Sequence, residues 1–200
     1  SSMAKNLGVD LQGSKYLGIV RLGGRDKAYD RQITITKEIF DIIGLSFFEV
    51  IEGDSCRLLW ESLRDFTGYD LPNAVSGRIF STPTGLNNLA IELIKYFEDI
   101  DAEVSIVVQP GFGTMEFHFN RSTDLLYKEP FGMMDEINMI VKNNSSNINY
   151  EKLPSNLKRE FNMWGHVNHG SQVIMTSLRD TYDPTKILNR GRYIADMGIS

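Results

Sequence analysis

Two short alternating segments, Glu103 to Val108 and Thr114 to Phe119, are joined by Gln109-Pro-Gly-Phe-Gly113, and that join limits the folds open to the chain. Val104, Ile106 and Val108 share one side of the first segment, and Met115, Phe117 and Phe119 share one side of the second. A period of two is the mark of half-buried strands. One proline and two glycines within the linking residues are turn chemistry and predict a hairpin. A hairpin makes its strands antiparallel, which disfavours a doubly wound parallel sheet.

Upstream, Tyr16 to Leu22 is an apolar run closed by Gly23-Gly24 and predicts a buried strand; Leu45 to Ile51 predicts a second. A helix is expected between them from Asp26 to Ile43, ended by Gly44, although Thr34 and Thr36 weaken it. Gly53-Asp54-Ser55 supplies a turn and N-cap for a helix from Arg57 to Phe66, with Leu59, Leu63 and Phe66 on one face. Ala74 to Ser81 predicts a third strand. Thr82-Pro83-Thr84 then opens the clearest helix, which carries Leu86, Leu89, Ala90, Leu93 and Phe97 at three- and four-residue steps.

After the hairpin a helix is expected from Glu129 to Lys142, with Met133, Ile137, Ile140 and Val141 inward. Asn143 to Asn149 reads as a polar, mobile loop, Ile148 to Leu153 as a short strand, and a terminal helix follows the turn at Pro154. Strands and helices alternate, but the hairpin imposes antiparallel pairing. The expected fold class is therefore α+β: a mostly antiparallel, ferredoxin-like sheet with helices packed on one face, Ser1–Ser200 forming a single domain.

Two hundred residues with 42% hydrophobic content suffice for one real core. The net charge of -5, with no face rich in Lys and Arg, argues against nucleic acid as a partner. The single cysteine, Cys56, leaves no intrachain disulfide and fits a reducing, cytoplasmic compartment. No apolar run reaches the roughly 18 residues of a membrane span, and no signal-peptide layout opens the chain. Hydrolase and nucleotidase readings lack their motifs, since no Gly-x-Ser-x-Gly elbow, Cys-His pair or Walker loop is present.

The closing segment is the least ordinary. Ser171 is placed to accept a hydrogen bond from an open amide of the first turn of a helix on which Ile174 and Leu178 share a face. Pro184 stops that helix, Asp183 is pushed out of the α region, and Gly191 permits a turn with positive φ.

Asp183-Pro-Thr-Lys-Ile-Leu-Asn-Arg-Gly-Arg192 resembles the C-terminal phrase of FAD-linked oxidases of the vanillyl-alcohol oxidase and glycolate oxidase type, with Arg190 in place of the family's second proline. Trp60-Glu-Ser-Leu-Arg-Asp-Phe66 looks like the family's Trp-x-x-x-Arg helix, and Arg78 falls where a strand arginine precedes Ser and Pro. Phe161-Asn-Met-Trp-Gly165 looks like the Trp-Gly passage before the last helix. The four matches keep the family's order, and the likeness is strongest to the FAD-binding subunit of glycolate oxidase.

The resemblance implies an oxidoreductase part, a cap that covers the flavin and holds a small 2-hydroxy acid. It makes Arg64 and Arg78 the substrate-binding candidates, because a guanidinium grips a carboxylate with two parallel hydrogen bonds. Asn189 and Gly191 become the candidates for approaching the cofactor. FAD would be held mainly by an FAD-binding domain or companion oxidase subunit outside this chain, since no glycine-rich phosphate turn stands out here. The isolated chain is then expected to be colourless and inactive.

Where related chains carry His-x-Gly-x-Gly-x-x-His, this hairpin has Gln109-Pro-Gly-Phe-Gly-Thr-Met-Glu116, and no metal is expected there. His118, His166 and His169 read as a strand residue and a loop pair rather than a zinc set. The competing reading is a non-catalytic ligand-binding or protein-interaction module on the same α+β sheet.

Overall fold

The computed structural model describes residues 13–45, 47–64, 74–100, 103–120, 130–154, 157, 161–190 and 193. They gather into two compact units, Ser1–Phe66 and Thr67–Ser200.

In the first unit, helix α1 spans Asp26–Ile43, the bounds read from sequence. Gly44 ends it in the left-handed conformation, with φ of 74°, and returns its N–H to the Asp41 carbonyl. Helix α2, Gly53–Arg64, starts four residues before the expected Arg57 and buries Leu59. The expected end of that helix, Phe66, lies outside the described residues.

The two strands expected at Tyr16 to Leu22 and Leu45 to Ile51 are not formed in the described residues. A β-favouring run specifies side chains that suit a pleated surface, but a strand exists only where a second backbone takes up its donors and acceptors. No such partner pairs with either segment among the described residues. Tyr16, Val20, Leu45 and Val50 consequently stay exposed, as do Ile39, Ile42 and Ile43 on α1.

The second unit runs β1 (Ala74–Phe80), α3 (Leu86–Asp99), β2 (Glu103–Gln109), a 3-10 turn (Pro110–Phe112), β3 (Thr114–Asn120), α4 (Pro130–Asn143), β4 (Asn147–Lys152) and α5 (His169–Tyr182). The strands lie in the order β2-β3-β1-β4, and each neighbouring pair is antiparallel. β1 and β2 therefore run the same way on either side of β3. This split β-α-β arrangement, completed by α4 and β4, is the ferredoxin-like form of the expected α+β fold.

Helices α3 and α4 cover one face of the sheet because their apolar stripes need a cover. Leu86, Leu89, Leu93 and Phe97 from α3, with Met133, Met134, Ile137 and Val141 from α4, meet Val75, Ile79, Met115, Phe117, Phe119, Ile148 and Tyr150 from the strands. Full burial of side chains this large stabilises by roughly 1.5–3 kcal/mol each. The Phe97 ring lies 5.9 Å from Phe117 and 5.4 Å from Phe119, centre to centre, and Tyr150 meets Phe117 edge-on at 6.2 Å. Gly77 makes room for this cluster, since a Cβ there would stand 2.6 Å from the Phe117 ring.

Three local expectations shift. On α4, Met134 is fully buried while Ile140 is only half-buried, because a core-facing stripe is wider than one row of positions. β4 begins at Asn147, inside the stretch expected as a loop, and its Ile148 and Tyr150 alternate into the core. At α5 the N-cap is Asn168, not Ser171: the Asn168 side chain accepts from the Ser171 amide at 2.8 Å, so Ser171 is the donor. Ile174 and Leu178 do lie one turn apart on α5, but both are exposed. The helix ends at Tyr182, just ahead of Asp183-Pro184, as the proline requires.

Candidate functional site

The face of the sheet opposite α3 and α4 collects polar side chains. Alternation along β1 and β3, fixed by the pairings Ser76 with His118 and Arg78 with Glu116, puts all four residues on this face. Burial changes along β1: Ala74 and Ser76 are closed to solvent, Arg78 is partly open, and Phe80 is 42% exposed. Arg78 thus sits at the boundary between a covered row and an open patch.

Two carboxylates hold its guanidinium. Nε lies 3.1 Å from Glu116 Oε1 and Nη2 lies 3.3 Å from Glu151 Oε1. The Nε contact is an ion pair rather than an aligned hydrogen bond, because Nε has no acceptor in hydrogen-bonding geometry. Glu151 reaches Arg78 through an irregularity: β4 pairs Lys152 with Ser76 and Tyr150 with Gly77, so Glu151 is one residue too many. Such bulges re-aim a side chain, and here the carboxylate turns onto the arginine.

Burial lifts the Glu116 carboxyl above its ordinary value; the Arg78 charge pulls it back down and Glu151 adds to the rise. Burial also pushes His118 below the usual imidazole range, helped by the charge of Lys152, so the ring stays neutral at neutral pH. Ser76 Oγ is fully buried with no hydrogen-bond partner.

The residues singled out from sequence are scattered. Arg78 is at the centre of this face. Arg64 closes α2 in the other compact unit, beside a shallow cleft of about 520 Å³ lined also by Arg21, Arg57, Trp60 and Glu61. Of the substrate-binding candidates, Arg78 is the one on the polar face of this sheet. Asn189 belongs to the turn after Pro184 and has φ of 45°, while Gly191 lies outside the described residues.

That turn has its own structural logic. The Asp183 carboxylate accepts the Ile187 amide at 3.0 Å and the Leu188 amide at 2.9 Å. Burial would raise this carboxyl, but the two amides and the charges of Arg179 and Arg190 outweigh it and hold the group below its ordinary value. Tyr193 donates its hydroxyl to the Met175 carbonyl at 2.8 Å, and the Arg179 guanidinium lies 4.9 Å from the Tyr193 ring centre. The phrase that carries the resemblance is, in physical terms, a pinned chain reversal.

Sequence reasoning missed Ser76, Glu116 and Glu151. The first two share alternation with Arg78 and His118 and were readable once β1 and β3 were aligned. Glu151 was not, because its orientation depends on the bulge. His118 was weighed only as a zinc ligand; it is buried in the sheet, whereas His166 and His169 are exposed. Among the described residues no group of three His, Cys, Asp or Glu is placed to hold a metal ion.

The first unit contains a cavity of about 700 Å³, lined largely by apolar residues that include Leu17, Val20, Phe40, Phe48 and Val50. Its polar lining includes Lys15, Arg21 and Glu49, and the Tyr29 hydroxyl donates to Glu52 at 2.9 Å. The walls are the segments 14–22 and 44–52 together with residues of α1 and α2, among them Ile33, Phe40, Leu59 and Trp60.

The described residues do not form a cradle for a dinucleotide pyrophosphate. Gly23-Gly24 precedes α1, whose N-cap position is Arg25. Gly113 has the required positive φ, yet its Cα faces the Ser81 carbonyl. No family model, curated protein or solved structure matches this chain. Among the described residues no helix is long and apolar enough to cross a membrane.

Proposed function

We propose that this chain is the substrate cap of an FAD-dependent 2-hydroxy-acid oxidoreductase of the glycolate oxidase type, with the flavin held by a domain or subunit outside it. The observation that carries the reading is Arg78: a partly open guanidinium at the edge of the covered row on the polar face of an antiparallel sheet, held by Glu116 and Glu151. Two carboxylates on a single arginine set its orientation, and Nη1 remains for a small anion arriving from the open end of the strand. The tail phrase and the Trp60–Arg64 helix support the reading by resemblance. Arg64, Asn189 and Gly191 stay with the proposal only as the residues that the resemblance assigns to substrate and cofactor.

In this role the chain binds and orients. Arg78 takes the substrate carboxylate, the sheet shields the reacting end from water, and the flavin, when its partner supplies it, accepts the electrons. The test is binding of acetate, glycolate and D-lactate to the full chain, followed by turnover with the FAD-binding partner and an artificial electron acceptor. Arg78→Ala is expected to weaken carboxylate binding at least tenfold, the scale of one lost charged hydrogen bond. Unchanged binding and turnover in Arg78→Ala would remove the grip on which the reading stands.

The second reading, a non-catalytic interaction module, is favoured by one observation. Ile174, Leu178 and Tyr182 are spaced at four-residue steps on α5, and all three are exposed. Tight association of the chain with a protein that holds no flavin, together with no affinity for any of the three acids, would favour it.

A further inference from the structure

The two edges of the sheet are finished differently. β4 is guarded in three ways: its register against β1 slips between Ser76 and Gly77, it ends in Glu151 and Lys152, and its Tyr150 amide donates to the Met163 carbonyl at 2.7 Å. β2, at the other edge, pairs with β3 without interruption from Glu103 to Gln109, and among the described residues no strand lies beyond it. From Val104 onward it reads Val-Ser-Ile-Val-Val-Gln, with no charge, proline or glycine, and Val108 and Gln109 are exposed. Proteins blunt exposed edges with lysine, proline or a bulge, because a straight apolar edge offers a free row of amides and carbonyls to another chain. Residues 104–109 carry none of these devices.

Helix α3 continues the same edge above the sheet. Tyr96 donates to the Met133 carbonyl at 3.4 Å, and Glu92 accepts from Asn144, just past α4, at 2.8 Å, which fixes the flank of α3 that looks towards α4. At about 100° per residue, Ala90 and Ile94 fall on the opposite flank. Ile91 lies next to them and is 59% exposed. Because α3 packs across β2 and β3, that flank stands over the β2 edge.

We propose that β2 is a dimerisation edge whose occupant is the β2 of a second copy of this chain, paired antiparallel about Ile106. A twofold axis brings the same patch of both copies together and runs identical strands in opposite directions. Centred on Ile106, it matches Val104 with Val108 and Ser105 with Val107, and sets Glu103 opposite Gln109. Every residue of the strand is then paired, each face continues across the junction, and no like charges meet. Two four-stranded sheets become one continuous antiparallel sheet. The helices fit as well: with strands about 4.8 Å apart, a helix seated over β2 and β3 stands about 10 Å from its symmetry mate, the separation of packed helices. The Ala90 and Ile94 flanks close on each other above the strands. A foreign strand would have to match this alternation and bring a helix at that spacing, both of which a second copy supplies by symmetry. Arg78 lies on β1, two strands in, so the pairing does not depend on the carboxylate grip.

The test is sedimentation velocity of the full chain across a concentration series, with hydrogen exchange read at β2. The chain is expected to pass from one copy to two as concentration rises, and the β2 amides that do not bond β3 should exchange more slowly in the dimer while those of β3 stay unchanged. Ser105→Lys combined with Val107→Lys sets like charges opposite at two symmetric places and should weaken the dimer at least about tenfold. Ser105→Lys combined with Val107→Glu sets opposite charges at the same places and should hold it within about threefold of the unmodified chain. A chain that stays single at every concentration, with the outer β2 amides unprotected, overturns the proposal. A dimer unaffected by the double lysine substitution overturns it too, as does protection of those amides only on binding a different protein. The two measurements on the unmodified chain decide the matter even where a variant fails to fold.

Discussion

Two glycines in the hairpin turn, Gly111 and Gly113, look alike in the sequence and are expected to respond oppositely to alanine. Gly113 has φ of 64°, and its carbonyl accepts the Ser81 amide at 2.8 Å. A Cβ at Gly113 would overlap the Ser81 carbonyl oxygen and lie 3.8 Å from Pro83 Cδ. Backbone cannot swing aside as a flexible side chain can. Holding alanine in the left-handed region costs about 1–2 kcal/mol, and forcing an extra carbon into packed structure about 1–3 more. Restricting the unfolded chain returns about 0.4–1 kcal/mol, leaving a net loss of about 1–4.5 kcal/mol. Gly111 has no positive φ, and nothing lies within 4 Å of its would-be Cβ. Gly111→Ala therefore keeps only the unfolded-state term and should be neutral or slightly stabilising. The assay is urea unfolding followed by Trp164 fluorescence in a Trp60→Phe background, which leaves one tryptophan in the chain. For a chain of this size the Gly113→Ala loss corresponds to a melting temperature lower by roughly 2–18 °C. A Gly113→Ala protein within about 0.5 kcal/mol of its parent, or a Gly111→Ala protein equally damaged, would refute the close approach of turn and strand.

Glu116 predicts a pH effect of definite sign. Its folded carboxyl holds its proton more tightly than the unfolded one, so its contribution is present below the ordinary glutamate value and is lost as pH rises through the raised folded value. Stability of the native chain measured against Glu116→Gln should decline as pH rises above the ordinary glutamate range, and a difference that is flat or rises would contradict the assigned burial. Asp183 predicts a local effect. In Asp183→Ala the amides of Ile187 and Leu188 should exchange with deuterium faster while those of the α3 core stay protected. Unaltered exchange at both amides would show that the tail turn does not depend on this carboxylate.

The second unit was legible because its segments combine pattern with punctuation. The hairpin, α3 and α4 each join a clear period to turn or cap residues, and their sheet follows once antiparallel pairing is imposed. The failures share a cause of another kind. Tyr16 to Leu22 and Leu45 to Ile51 have the composition of strands, but composition does not supply a neighbouring backbone, and none of the described residues provides one. The cap of α5 was misassigned because Asn168 and Ser171 are both good capping residues, and only the chain's entry angle decides which becomes acceptor. At the site, Arg78 was visible as a strand arginine, whereas its partner Glu151 was hidden by a bulge that shifts the count by one. Arg64 lies in the first compact unit and Arg78 in the second, a division that the order of the motifs does not reveal.

The Asp183 turn carries a lesson about recurrence. One carboxylate and two amides within six residues are enough to reverse a chain after a helix, and Pro184 ends the helix without help from any distant group. A device so self-sufficient can be transplanted to the end of unrelated helices.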